Sequence, residues 1–194
     1  MATTTKMAIP YPASTDLVKD GATDMQDLAE EVDTKTGLVF IKAQTVGTAV
    51  GSVTVTNAFN TNFKHYRIMY TGGSSSVQTD IYFRLGASLT GFYCTGIWQG
   101  WGAGAVNTTG LSNSNVWVVG VIDPAGNLVD MTVRNPFTTL RTTFSGTFSS
   151  AAATRIGGMM NGMHNVTASY TDFTFYPAAG TITGGTIQVW GFNG

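Results

Sequence analysis

From Leu38 onward, apolar and polar residues alternate over short runs separated by glycine-rich turns. Lys64–Thr71 sets Tyr66, Ile68 and Tyr70 on one face and His65, Arg67 and Met69 on the other, the two-residue period of a half-buried strand. Asp80–Leu85 repeats it, with Ile81, Phe83 and Leu85 facing inward. Val116–Ile122 is apolar throughout and predicts a buried strand. The residues that follow, Asp123-Pro124-Ala125-Gly126-Asn127, have turn chemistry and predict a hairpin loop into Leu128–Val133. Leu38–Val46, Ser52–Thr56, Thr142–Phe148, Thr167–Tyr176 and Thr186–Gly191 are further strand candidates, and no long helix is expected after residue 37. Strands at roughly ten-residue spacing predict a mainly β domain over residues 38–194, an antiparallel β-sandwich of jelly-roll-like kind.

A different pattern precedes it. In Ile9-Pro10-Tyr11-Pro12 the alternating prolines favour an extended, polyproline-like strip. Val18, Ala22, Met25, Ala29 and Val32 then recur at spacings of four, three, four and three, with Leu28 widening the stripe. That is a helical seam of about two heptads. Asp20 suits the N-cap, Asp24 and Asp27 lie near the positive end of the helix dipole, and Gly37 suits the stop. Two readings stay open: a helix packed on its own domain, or a short bundle in which copies from neighbouring subunits meet along the seam. A helix this short is marginal alone, so either reading requires a partner surface. Residues 1–37 are therefore expected to be an N-terminal anchor arm and oligomerisation helix.

Charge sharpens this division. Only 11% of residues are charged, and Gly numbers 24. Residues 1–35 hold seven of the eleven acids and three of the ten bases, a net charge of −4 against +3 for the remainder. No basic run exists, which argues against a nucleic-acid partner. Cys94 is the single cysteine, so no intrachain disulfide framework is available. The first residues lack the apolar core of a signal peptide and no apolar run is long enough to span a bilayer, so synthesis in the cytosol without membrane insertion is expected.

Candidate chemistry is sparse. There is no G-x-S-x-G nucleophile motif. His65 sits on the alternate face of a strand, most simply facing solvent, and His164 falls in a glycine- and methionine-rich stretch that reads as a loop or hairpin. One Cys and two distant His cannot supply a zinc site, and Asp80, Asp123, Asp130 and Asp172 are scattered singly. The sequence predicts no enzyme, no metal and no cofactor. One stretch stands out: Gly96-Ile97-Trp98-Gln99-Gly100-Trp101-Gly102, continuing through Asn107-Thr108-Thr109-Gly110. Trp98 and Trp101 are candidates for a glycan-binding platform, with Asn107 meeting sugar hydroxyls. The plainer reading, that these Trp fill the sandwich core or a subunit interface, is the one favoured.

The leader Ile9-Pro10-Tyr11-Pro12-Ala13-Ser14-Thr15-Asp16-Leu17-Val18-Lys19-Asp20-Gly21-Ala22, followed by Met25-Gln26-Asp27-Leu28-Ala29-Glu30-Glu31-Val32-Asp33, resembles that of tailed-bacteriophage virion structural proteins, the minor tail proteins and tail fibres. Phe173–Pro177 with Thr186–Gly191 looks like their closing hairpin, with Trp190 and Phe192 where Tyr is usual. The resemblance covers about the first 35 and last 25 residues. It implies an attachment segment (Ile9, Pro10, Tyr11, Pro12) gripping other virion proteins, and an outward β domain, commonly trimeric. The expected function is a trimeric tail-fibre or receptor-binding subunit in the virion, with a host surface glycan as candidate receptor. A capsid decoration protein (head fibre or cement) is the alternative, and a lectin-like module the third.

Overall fold

The computed structural model describes residues 2–3, 10–11, 20–35, 37–102, 104–151 and 156–193. Two short strands, β1 (Ala2–Thr3) and β2 (Pro10–Tyr11), pair with each other, and the helix α1 (Gly21–Lys35) packs on β2. Asp20 stands immediately before the helix, and Gly37 follows it at φ 75°, the left-handed conformation that ends a helix. The remaining strands are β3 (Val39–Thr45), β4 (Val53–Val55), β5 (His65–Thr71), β6 (Ser74–Ser75), β7 (Thr79–Leu85), β8 (Phe92–Gly100) and β9 (Asn107–Ser114). After them come β10 (Trp117–Ile122), β11 (Asn127–Arg134), β12 (Thr142–Ser150), β13 (Ile156–His164), β14 (Phe173–Pro177), β15 (Ile182–Thr183) and β16 (Thr186–Phe192).

These strands form an antiparallel β-sandwich. One layer has eight strands in the order β3-β16-β5-β11-β12-β13-β8-β9, and the other has four, β10-β7-β14-β4. A two-stranded β15-β6 pair adjoins them. The period-two expectation holds residue by residue. Tyr66, Ile68 and Tyr70 of β5 and Ile81, Phe83 and Leu85 of β7 are fully buried. Between the layers lies an aromatic core. Trp117 of the small sheet stacks on Phe83 (5.8 Å between ring centroids) and meets Phe144 (4.6 Å) and Phe92 (5.4 Å) of the large one. Its indole N–H donates to the Met163 carbonyl at 3.2 Å, so the polar handle of this buried ring is satisfied.

Three expectations need correction and a fourth is narrowed. The Asp123–Gly126 turn is no hairpin: β10 pairs with β7 in the small sheet, whereas β11 pairs with β5 and β12 in the large one. The local chemistry is as expected, since Asp123 Oδ1 accepts the Ala125 N–H at 2.7 Å, but the reversal carries the chain between layers. Burial on both faces of β10 favours crossing over to pack rather than to pair. β14 and β16 likewise belong to different sheets, so Phe173–Pro177 and Thr186–Gly191 form no closing hairpin. The predicted strand Thr167–Tyr176 is regular only from Phe173. Lastly, the glycine-rich stretch ending at His164, read as a loop or hairpin, is the hairpin strand β13, paired along its length with β12 and with β8, the strand that carries Trp98.

The reason lies in what roofs their glycines. A Cβ on Gly162 would meet the Phe144 ring at 2.4 Å, one on Gly158 the Phe148 ring at 2.9 Å, and one on Gly96 the Met160 sulfur at 2.0 Å. Neighbouring side chains fill the space a β-branched residue would normally occupy. Each glycine's weak strand propensity is thus offset by a large apolar residue laid across it.

Candidate functional site

The unequal sheets leave the sandwich open on one side. β10 is the edge of the small sheet and pairs only with β7, while β8 and the edge strand β9 of the large sheet lie beyond it. A cleft of about 330 Å³ opens along this edge, at the lower end of the ~300–1,000 Å³ range of small-ligand sites. Its floor is apolar, made by Trp98 of β8, Phe148 of β12, and Ile156 and Met160 of β13. Val118, Gly120 and Val121 of β10 form one wall, where a bulge interrupts the pairing with β7. Polar groups line the rim: Asp80 with Thr79 and Gln78 on one side, Thr108 and Thr109 of β9 on the other.

Asp80 dominates the electrostatics. Burial pushes its carboxyl above the usual carboxylate range, and no hydrogen bond or ion pair reaches its side chain among the described residues. Burial raises Tyr82 as well, and the Asp80 charge adds to that rise. The Cys94 thiol is pushed up chiefly by burial and is held as a neutral core group. Among the described residues no Lys or Arg lines the cleft.

The glycan candidates separate. Trp98 is half-buried on the cleft floor, and Asn107 is its cross-strand partner in the β8–β9 register. Trp101 lies elsewhere. It is 60% exposed, and its ring covers Gly157, which pairs with the outward-facing Gln99 and Ser149. The two indoles therefore sit on opposite faces of the large sheet and build no common platform in one chain. Asp80, read in the sequence as a lone acid, is the cleft residue that sequence reasoning missed. Its nearness to Trp98 depends on inter-sheet packing, which leaves no local signal.

The helix candidates are placed differently from a core helix. Ala22, Met25 and Ala29 are exposed, Met25 at 69%, with Val32 at 38% and Leu28 half-buried. The covered face carries Asp24 instead. Of the attachment residues, Pro10 and Tyr11 form β2, and Ile9 and Pro12 lie outside the described residues, as does Val18 of the seam.

His65 does not face solvent freely as its strand position suggested, and His164 lies in a strand of a hairpin rather than in a loop. His164 is fully buried at the end of β13, with Nε2 2.9 Å from Ser88 Oγ and 3.1 Å from the Thr90 carbonyl, and its ring 4.2 Å from that of Phe92. His65 is half-buried beside Phe192. Burial lowers the pKa of both. Among the described residues no three His, Cys or carboxylate side chains converge as a metal-binding group. A second, shallower depression on the outer face of the large sheet holds Arg67 and Asp130, but these satisfy each other through two hydrogen bonds. No family model matches this sequence, and no curated protein is similar to it.

Proposed function

We propose that the chain is a structural subunit of a tailed-phage virion, a trimeric tail-fibre or receptor-binding protein attached through its N-terminal segment. The observation that carries this reading is the open apolar stripe on α1. Met25, with Ala22 and Ala29 beside it, faces solvent in the single chain, although these residues were spaced to be buried. A helix of 15 residues needs such burial to be stable, and neighbouring copies meeting along the seam provide it. The leader motif supports the virion assignment. The β-sandwich supplies a rigid outward body, and the cleft at its open side gives that body a place to bind.

The test is incorporation. A chain lacking residues 1–12 is expected to fold but to be absent from purified phage particles, as read by immunoblot. Normal incorporation of the truncated chain would overturn attachment through this segment. Immunogold labelling of intact particles with an antibody to the β-sandwich is expected to mark the tail. Labelling over the capsid would instead favour a decoration role.

A further inference from the structure

We propose that the cleft along the free edge of β10 binds a neutral sugar ring, with Trp98 as the stacking surface and Asp80 as the acceptor for a pair of adjacent hydroxyls. This deepens the receptor-binding reading and rests on it only for the origin of the sugar.

The cleft's two chemistries match the two chemistries of a pyranose. A sugar ring has an apolar C–H face and a perimeter of hydroxyls. The cleft has an apolar floor containing one indole and a rim of oxygen atoms. An indole face accommodates C–H groups over a large rigid area. Asp80 adds the directional part. An ionised carboxylate is an acceptor only, with two oxygens and about four lone-pair sites. Two neighbouring hydroxyls can donate to it together, as charge-assisted bonds. Within the described chain nothing donates to that carboxylate, although burial already penalises its charge. A ligand that supplies donors removes this penalty, and bulk water does so less well inside a cleft.

The rest of the rim narrows the class. Thr109, the cross-strand partner of Gly96 on the Trp98 face of the sheet, offers a hydroxyl that donates or accepts, the flexible complement to a polyol. The outer edge of β10 faces the cleft with backbone groups not used in pairing to β7. With Asp80 present and no Lys or Arg among the described lining residues, an acidic sugar or a phosphate meets repulsion from that carboxylate. An ammonium group, such as a lysine of a partner peptide, also fits a carboxylate beside an indole. It would leave the threonine rim unused, and its binding would weaken with salt.

The experiment uses the purified full-length chain and methyl glycosides of glucose, galactose and mannose at millimolar concentration. Binding is read by saturation-transfer NMR and by tryptophan fluorescence. At least one glycoside is expected to bind, with its affinity changing less than about twofold between low and high salt. Asp80→Asn keeps the shape, removes the charge, and is expected to weaken binding at least tenfold. Trp98→Ala is expected to abolish it, and Trp101→Ala, on the opposite face, to leave it unchanged. If Trp98→Ala does not fold, Asp80→Asn and Thr109→Val decide the matter. Saturation transfer from none of the three glycosides, or full binding by folded Asp80→Asn, overturns the proposal, as does capture of methylammonium in preference to sugar. Free sugars and purified protein are independent of particles, so this outcome is separate from that of the incorporation test.

Discussion

Gly158→Ala places one methyl group where the fold has no room. Its Cβ would lie 2.3 Å from the Ile97 carbonyl oxygen, 2.8 Å from Trp98 Cβ and 2.9 Å from the Phe148 ring. The first two atoms are fixed by the β8 backbone, so they cannot swing aside as a flexible side chain would. Relief requires β13 and β8 to separate or Phe148 to leave its site between the sheets. Overpacking of this kind costs about 1–3 kcal/mol. Alanine's lower unfolded-state entropy returns about 0.4–1 kcal/mol. A net loss of about 1.3 kcal/mol lowers the Tm of a domain this size by about 3–5 °C. Gly51→Ala is the control, because nothing lies within 4 Å of its Cβ and its φ is outside the left-handed region. It should cost nothing measurable. Both variants are compared with the parent by differential scanning calorimetry at one pH and concentration. A Gly158→Ala chain that melts within ~1 °C of the parent would refute the idea that roofed glycines build β8 and β13.

Trp117→Ala should destabilise the β-sandwich by about 3–5 kcal/mol in urea unfolding, because it opens a cavity shared by both sheets; a loss under ~1 kcal/mol would mean that the layers do not meet there. Stability should also depend on pH through His164, whose pKa is lowered by burial in the folded chain while the unfolded value stays near ~6.5. The neutral form is favoured in the fold, so this stability is complete above the unfolded pKa and falls as pH drops below it. His164→Gln should flatten that fall between about pH 7.5 and 5, with His65, also lowered by burial, supplying the remainder. An unchanged slope would contradict the assignment.

How much was legible before the fold was known follows from where each signal resides. Alternation is local, so Tyr66, Ile68, Tyr70, Ile81, Phe83 and Leu85 were all oriented from their spacing alone. Cap and stop chemistry is local too, and α1 runs from the residue after Asp20 to two residues before Gly37. Layer assignment is not local. The Asp123 turn has the same residue types whether its flanking strands pair or cross between sheets, so its local chemistry does not distinguish a hairpin from a crossing. Gly158 and Gly162 read as loop residues because the rings that cover them, Phe148 and Phe144, come from β12. Part of the cleft is local: Trp98, Thr108 and Thr109 share one stretch of sequence, whereas Asp80 joins them only through packing.

We propose above all that the chain functions as a trimer closed by α1. Sedimentation equilibrium of the full-length protein at micromolar concentration measures this directly. The expected mass is three times the chain mass of 20.5 kDa, falling to the single-chain value when Met25→Asp puts a charge into the seam. A parent chain that sediments at 20.5 kDa, or a Met25→Asp variant that stays trimeric, would contradict it.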